Sequence, residues 1–269
     1  MVHEVLYIGW DVGGWEGSCD GLAVLRCGRD GHVELCGEPK RVRLGRRLTN
    51  EFRADDLLAA CGVVQPRNRV VIGIDAPLGW PAEFVRLVTA GPHGPEPYVP
   101  GDGGEIENRL AYRLTDRVVR KRCGKKPLSG AFDRLGGNAT KAITVCQLLR
   151  KNAGAVVVPQ EEDTEQPVVI CEAYPAPWKE HARKEGGLLK SAAEALPGLD
   201  MPPLGTDEAD AVLCALTAAC YDNQARELKR GLPELWLPED EFTIANVEPG
   251  GTRLVQQEGW IYFPKAAMD

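Results

Sequence analysis

Three apolar runs in this chain end in an acid, and an acidic pair opens a helix-like segment. The runs are Val5-Leu-Tyr-Ile-Gly-Trp-Asp11, Arg69-Val-Val-Ile-Gly-Ile-Asp75 and Val168-Val-Ile-Cys-Glu172; the pair is Asp207 and Asp210 in Thr206-Asp-Glu-Ala-Asp-Ala. At i, i+3 on a helix, Asp207 and Asp210 share one face. Carboxylates gathered at one point repel, and they take up protons unless a cation sits among them. A hard divalent ion with oxygen ligands, Mg2+ or Mn2+, suits such a donor set. Two such ions about 4 Å apart would position a water and drive in-line displacement at phosphorus. Asp11, Asp75, Asp207 and Asp210 are the expected catalytic residues, with Asp11 and Asp75 bridging the metals and Glu172 as a fifth metal ligand. A single acid after a strand is ordinarily a turn residue or a cap, and Asp207 alone reads as part of a helix N-terminus. The argument rests on the set. Asp210 adds to it, because it stands among small and apolar residues where a carboxylate needs a partner.

The elements that must position these acids can be read from periodicity. Val5–Asp11, Leu22–Cys27 and His32–Leu44 read as a three-stranded meander, with Arg29-Asp30-Gly31 as hairpin turn chemistry. Residues 54–61 form a short helix stopped by Gly62. The β-branched run Arg69–Asp75 fits a strand covered on both faces. Gly91–Gly104 is a Pro/Gly-rich loop within an insertion spanning about residues 76–112. Helices follow at 109–122 and 140–151, an acid-rich connector at 160–166, a strand at 168–172, and helices at 188–195 and 206–223. Residues 224–269 read as irregular. A meander followed by βαβα units is the element order of the ribonuclease H fold: α/β, with a mixed five-stranded sheet flanked by helices, here as one domain over residues 1–269. In open α/β sheets ligands bind at the carboxyl ends of the strands, where Asp11, Asp75 and Glu172 would stand.

The bulk composition narrows the function classes. The 269 residues are 43% hydrophobic and 26% charged, as in soluble globular proteins. No apolar run reaches the roughly 20 residues of a membrane span, no signal peptide is expected, and the location expected is cytoplasmic. Nine cysteines without a CxxC pair, and only four histidines, argue against a disulfide framework and against zinc. A net charge of −7 argues against indiscriminate coating of nucleic acid, yet two runs are strongly basic, Lys40 to Arg53 and Arg113 to Lys126. A charge run is ordinarily a solvated face. The second run is nonetheless the expected phosphate-holding segment, through Arg113, Arg117, Arg120 and Lys121.

Five motifs, Gly73-Ile-Asp-Ala-Pro-Leu-Gly-Trp-Pro81, Tyr112-Arg-Leu-Thr-Asp116, Cys171-Glu-Ala-Tyr-Pro175, Thr206-Asp-Glu-Ala-Asp-Ala-Val-Leu-Cys-Ala-Leu216 and Glu258-Gly-Trp-Ile261, occur in the order seen in the domain-of-unknown-function 429 family. The chain resembles that family from about residue 5 to residue 264. The resemblance implies a ribonuclease H-like fold and a nuclease. The last helix also resembles that of RuvC-type junction resolvases, which assigns the metal acids to Asp11, Asp75, Asp207 and Asp210. In the family's Arg-x-Thr-Asp motif, Arg113 and Asp116 either bind a phosphate or brace a loop.

The leading expectation is a Mg2+- or Mn2+-dependent nuclease or phosphodiesterase with nucleic acid as partner. Two other classes compete with it. An actin-like ATPase shares the strand order and the glycines after Asp11, but it needs two copies of the core. A catalytically idle binder of nucleic acid or protein would keep the acids without turnover. The sequence gives no oligomeric state.

Overall fold

The computed structural model describes residues 5–15, 18–27, 32–64, 67–94, 96, 98–99, 101–182, 201–240 and 251–265. The helix expected at 188–195 lies outside the described residues.

The strands are β1 (Val5–Asp11), β2 (Asp20–Cys27), β3 (Val33–Leu35), β4 (Lys40–Val42), β5 (Arg69–Asp75), β6 (Val156–Val158), β7 (Val168–Ala173) and β8 (Ile261–Tyr262). They form one mixed sheet in the order β3-β2-β1-β5-β7-β6, with β4 also on β2 and β8 also on β7. β1–β2, β2–β3 and β2–β4 are antiparallel, whereas β1–β5, β5–β7, β6–β7 and β7–β8 are parallel. This is the ribonuclease H-like arrangement. The sheet has eight strands among the described residues rather than five. The expected third strand breaks into β3 and β4 at Gly37, whose φ is +73°.

The helices are α1 (Ala54–Ala60), α2 (Ala82–Ala90), α3 (Leu114–Cys123), α4 (Gly136–Ala153), α5 (Pro175–Ala182), α6 (Asp207–Ala225) and α7 (Gly251–Glu258). The 76–112 insertion thus carries α2. The C-terminal stretch expected to be irregular holds α7 and β8, and β8 adds to the edge of β7 where β6 leaves off.

Strand alternation sorts the core into two layers. Leu6, Ile8, Trp10, Val70, Ile72, Ile74 and Ile170 face α1 and α4. Tyr7, Val71, Val169 and Cys171 face α3, α5 and α6. α6 is buried nearly all round and crosses β2, β1 and β5 directly. Mid-strand glycines allow this close approach. A Cβ on Gly9 would lie 1.7 Å from the carbonyl oxygen of Ala211, and one on Gly73 would lie 2.1 Å from that of Cys214. At Gly9 and Gly73 no side chain can stand between strand and helix.

Candidate active site

Gly9 and Asp11 are two residues apart, as are Gly73 and Asp75, so each acid points to the same face of the sheet as its glycine. Asp11 and Asp75 are register partners on adjacent parallel strands. The glycines bring α6 onto that face, and Asp210 in its first turn completes a group of three carboxylates. Thr206 caps the helix, its hydroxyl oxygen accepting from Ala209 N–H at 3.2 Å.

The charges in this group act on one another. Burial, with Asp210 and Asp207 adding repulsion, pushes the Asp11 carboxyl up to about 7. Burial, then Asp11 and Asp210, raises Asp75 well above the usual carboxylate value. Burial also raises Asp210, against the pull of Lys179. The Lys179 ammonium, from α5, donates to Asp210 Oδ2 at 2.6 Å and lowers Asp11 and Asp75 as well. Asp210 Oδ1 is buried and takes no hydrogen bond. Asp207 sits at the edge of the group, half-exposed and paired with Arg41 Nε at 2.8 Å.

Glu172 takes another part. It is the register partner of Ile74, one position out of phase with Asp75, yet it lines the same pocket and its charge helps to raise Asp75. Its oxygens accept from Arg113 Nη1 and Nη2 at 2.7 and 2.6 Å, and from Leu78 N–H at 2.9 Å. Arg113 also donates to both oxygens of Asp116, and more weakly, at 3.4 Å, to the Glu258 carbonyl. Arg113 is only 2% exposed; its guanidinium makes this fork at the lining of the pocket beside Asp11 and Asp75. Glu258 holds two helix starts, accepting from Ala82 N–H and Leu114 N–H, each at 2.7 Å. Thr115 Oγ1 accepts from Ile261 N–H at 2.8 Å. The motifs around Arg113, Glu172 and Glu258 are thus one buried brace. Of the other expected phosphate contacts, Arg117 is buried, while Arg120 and Lys121 are exposed on α3, away from the pocket lining.

A pocket of about 210 Å³ opens beside the acids, lined by Asp11, Asp75, Asn138 and Tyr174 and floored by the Arg113–Glu172 pair. Burial and the nearby charges of Asp75 and Asp116 raise the Tyr174 hydroxyl, which keeps its proton and can donate. Asn138 donates to the Val12 carbonyl and so fixes the loop after Asp11.

Among the described residues no three His, Cys, Asp or Glu side chains stand as a ready-made metal cage. The donor set still suits a hard cation. It has carboxylates only, its members raise one another's proton affinity, and Asp210 keeps an unsatisfied oxygen. Lys179 shows that a positive charge is accommodated there.

Lys179 and Tyr174 escaped the sequence reading because α5, which follows β7 directly, was not anticipated. The Tyr-Pro after Glu172 was the available signal for a turn into that helix.

No helix of the described residues is long and apolar enough to cross a membrane. Residues 9–186, more than half the chain, match the family model described as "Protein of unknown function (DUF429)". The match includes Asp11, Asp75, Arg113 and Glu172 and ends before α6. No curated protein and no solved structure matches the chain.

Proposed function

Since the chain belongs to the DUF429 family, whose description assigns no reaction, we propose from the site itself that the protein is a divalent-metal-dependent nuclease or related phosphodiesterase. The observation that carries this reading is the convergence of Asp11, Asp75 and Asp210 on one face, with Asp11 pushed up to about 7 by burial and by its acidic neighbours. Such a group is destabilising by itself and is relieved by a cation of higher charge than an ammonium.

Asp11 and Asp75 would hold the ion from the strand ends and Asp210 from the helix, with Asp207 at the rim. Bound Mg2+ or Mn2+ would supply Lewis acidity for in-line displacement at phosphorus. Lys179 neutralises part of the cluster and opposes the rise that burial gives Asp210. Tyr174 offers a hydroxyl donor to a phosphate oxygen in the pocket. The Arg113–Glu172–Asp116 fork holds the pocket floor rigid, so that the acids keep their spacing.

The test is incubation of the purified protein with Mg2+ or Mn2+ and a panel of single-stranded, duplex and junction DNA and RNA. Cleavage is expected, lost in chelator and reduced at least a hundredfold, an order-of-magnitude figure for removal of one electrostatic group, by Asp11→Asn or Asp75→Asn. If no member of the panel is cut, the nuclease reading falls.

A further inference from the structure

The first basic run, Lys40 to Arg53, touches the carboxylate site only through the Arg41–Asp207 pair, and the fold sets the rest of it on that site's edge. β2 runs antiparallel to β1, so Asp20 at its start lies at the same end as Asp11. Asp20 is fully buried. It accepts from Trp10 Nε1 at 2.9 Å, Gly13 N–H at 3.0 Å and Leu44 N–H at 3.0 Å, and Lys141 Nζ lies 2.7 Å from both its oxygens. One carboxylate therefore ties the loop after Asp11 to the 3-10 turn Leu44–Arg46.

Trp15 lies in that loop and is 45% exposed. Its indole is held in place, Nε1–H donating to Thr140 Oγ1 at 2.9 Å. Gly45 packs on its backbone, a Cβ there lying 3.4 Å from the Trp15 carbonyl oxygen. Arg43, Arg46 and Arg47, flanking Gly45, are exposed and form no ion pair with a described residue. Arg41 carries the run to α6 by its pair with Asp207. Trp15 stands four positions beyond Asp11, so the two Cα atoms lie within about 14 Å of each other.

The fold thus sets an immobilised aromatic ring against the turn that carries three exposed arginines, and rings with nearby cations are how a strand with splayed bases is held: bases stack on the ring and phosphates meet the cations. Duplex bases offer only their edges in the grooves. Resting on the nuclease reading of the carboxylate site, we propose that Trp15 with Arg43, Arg46 and Arg47 forms the binding path for a single nucleic-acid strand leading to Asp11 and Asp75.

The test is fluorescence anisotropy of the full chain with a short labelled single-stranded oligonucleotide, as DNA and as RNA, and with the matching duplex, all in chelator so that nothing is cut. Tighter binding of either single strand than of the duplex is expected. Trp15→Ala should weaken it on the order of tenfold, and Trp15→Phe should restore most of the loss. The double variant Arg46→Glu/Arg47→Glu should weaken binding and flatten its salt dependence by about 0.7 in log–log slope per lost phosphate contact. Absence of binding, equal binding of duplex and single strand, or indifference to both the Trp15 and the arginine variants would overturn the proposal. Trp15-dependent binding by a protein that cuts nothing would support the strand path while removing the nuclease reading.

Discussion

Asp11 titrates near neutrality, and the direction of its shift has a consequence for stability. Its unfolded value is near 3.8 and its folded value about 7, so the folded state binds more protons between those limits. The stability that this group contributes is therefore fully present below about pH 4 and is lost as the pH rises through about 7. Asp75 and Asp210 are raised and act with the same sign. In chelator, Asp11→Asn should raise the Tm above pH 7 by a few degrees and flatten its fall with pH, although the same change abolishes the proposed activity. Thermal melts from pH 4 to 8 check this, and an unchanged or lower Tm for the variant at pH 8 would count against the repulsive cluster. Lys179 gives the converse case. Lys179→Met removes the competing positive charge, so Mn2+ should bind several-fold more tightly by calorimetry while the metal-free protein loses stability at neutral pH. At this scale the sequence singled out Asp11, Asp75 and Asp210, which the fold brings to one face, because an acid closing a buried strand or starting a buried helix stands out against its neighbours. It did not disclose that Glu172 and Arg113 satisfy each other, since that depends on register and on a partner 59 residues away.

Among the elements, α6 matters most for the site, and its distance from the sheet is set by glycine. Gly73→Ala would place a methyl 2.1 Å from the Cys214 carbonyl oxygen. The helix would have to lift, carrying Asp210 away from Asp11 and Asp75. A loss of about 1–3 kcal/mol or more is expected from such overpacking, together with loss of metal affinity. Denaturant unfolding and Mn2+ titration measure the two effects, and a fully stable variant with normal affinity would refute the close approach. Long strands with β-branched runs and the long helices were legible from periodicity. α2 was missed because it sits within the stretch read as a Pro/Gly-rich insertion, although Phe84, Val85, Leu87 and Val88 recur at helical spacing; none of its residues is buried. β6 and β8, at three and two residues, are too short to show an alternation.

At the scale of the whole molecule, an acidic chain concentrates several like charges in one pocket and offsets them only in part with Lys179. Metal binding should therefore stabilise the entire fold by linkage, raising Tm by about 5–10 °C at a hundredfold excess over Kd, with no effect in Asp11→Asn or Asp75→Asn. The most direct test of the central claim is a crystal structure of the protein with Mn2+, phased on the manganese anomalous signal. An anomalous peak coordinated by Asp11, Asp75 and Asp210, with Lys179 displaced from Asp210, is the predicted result. A peak elsewhere, or none at saturating Mn2+ with Lys179 still on Asp210, would contradict it.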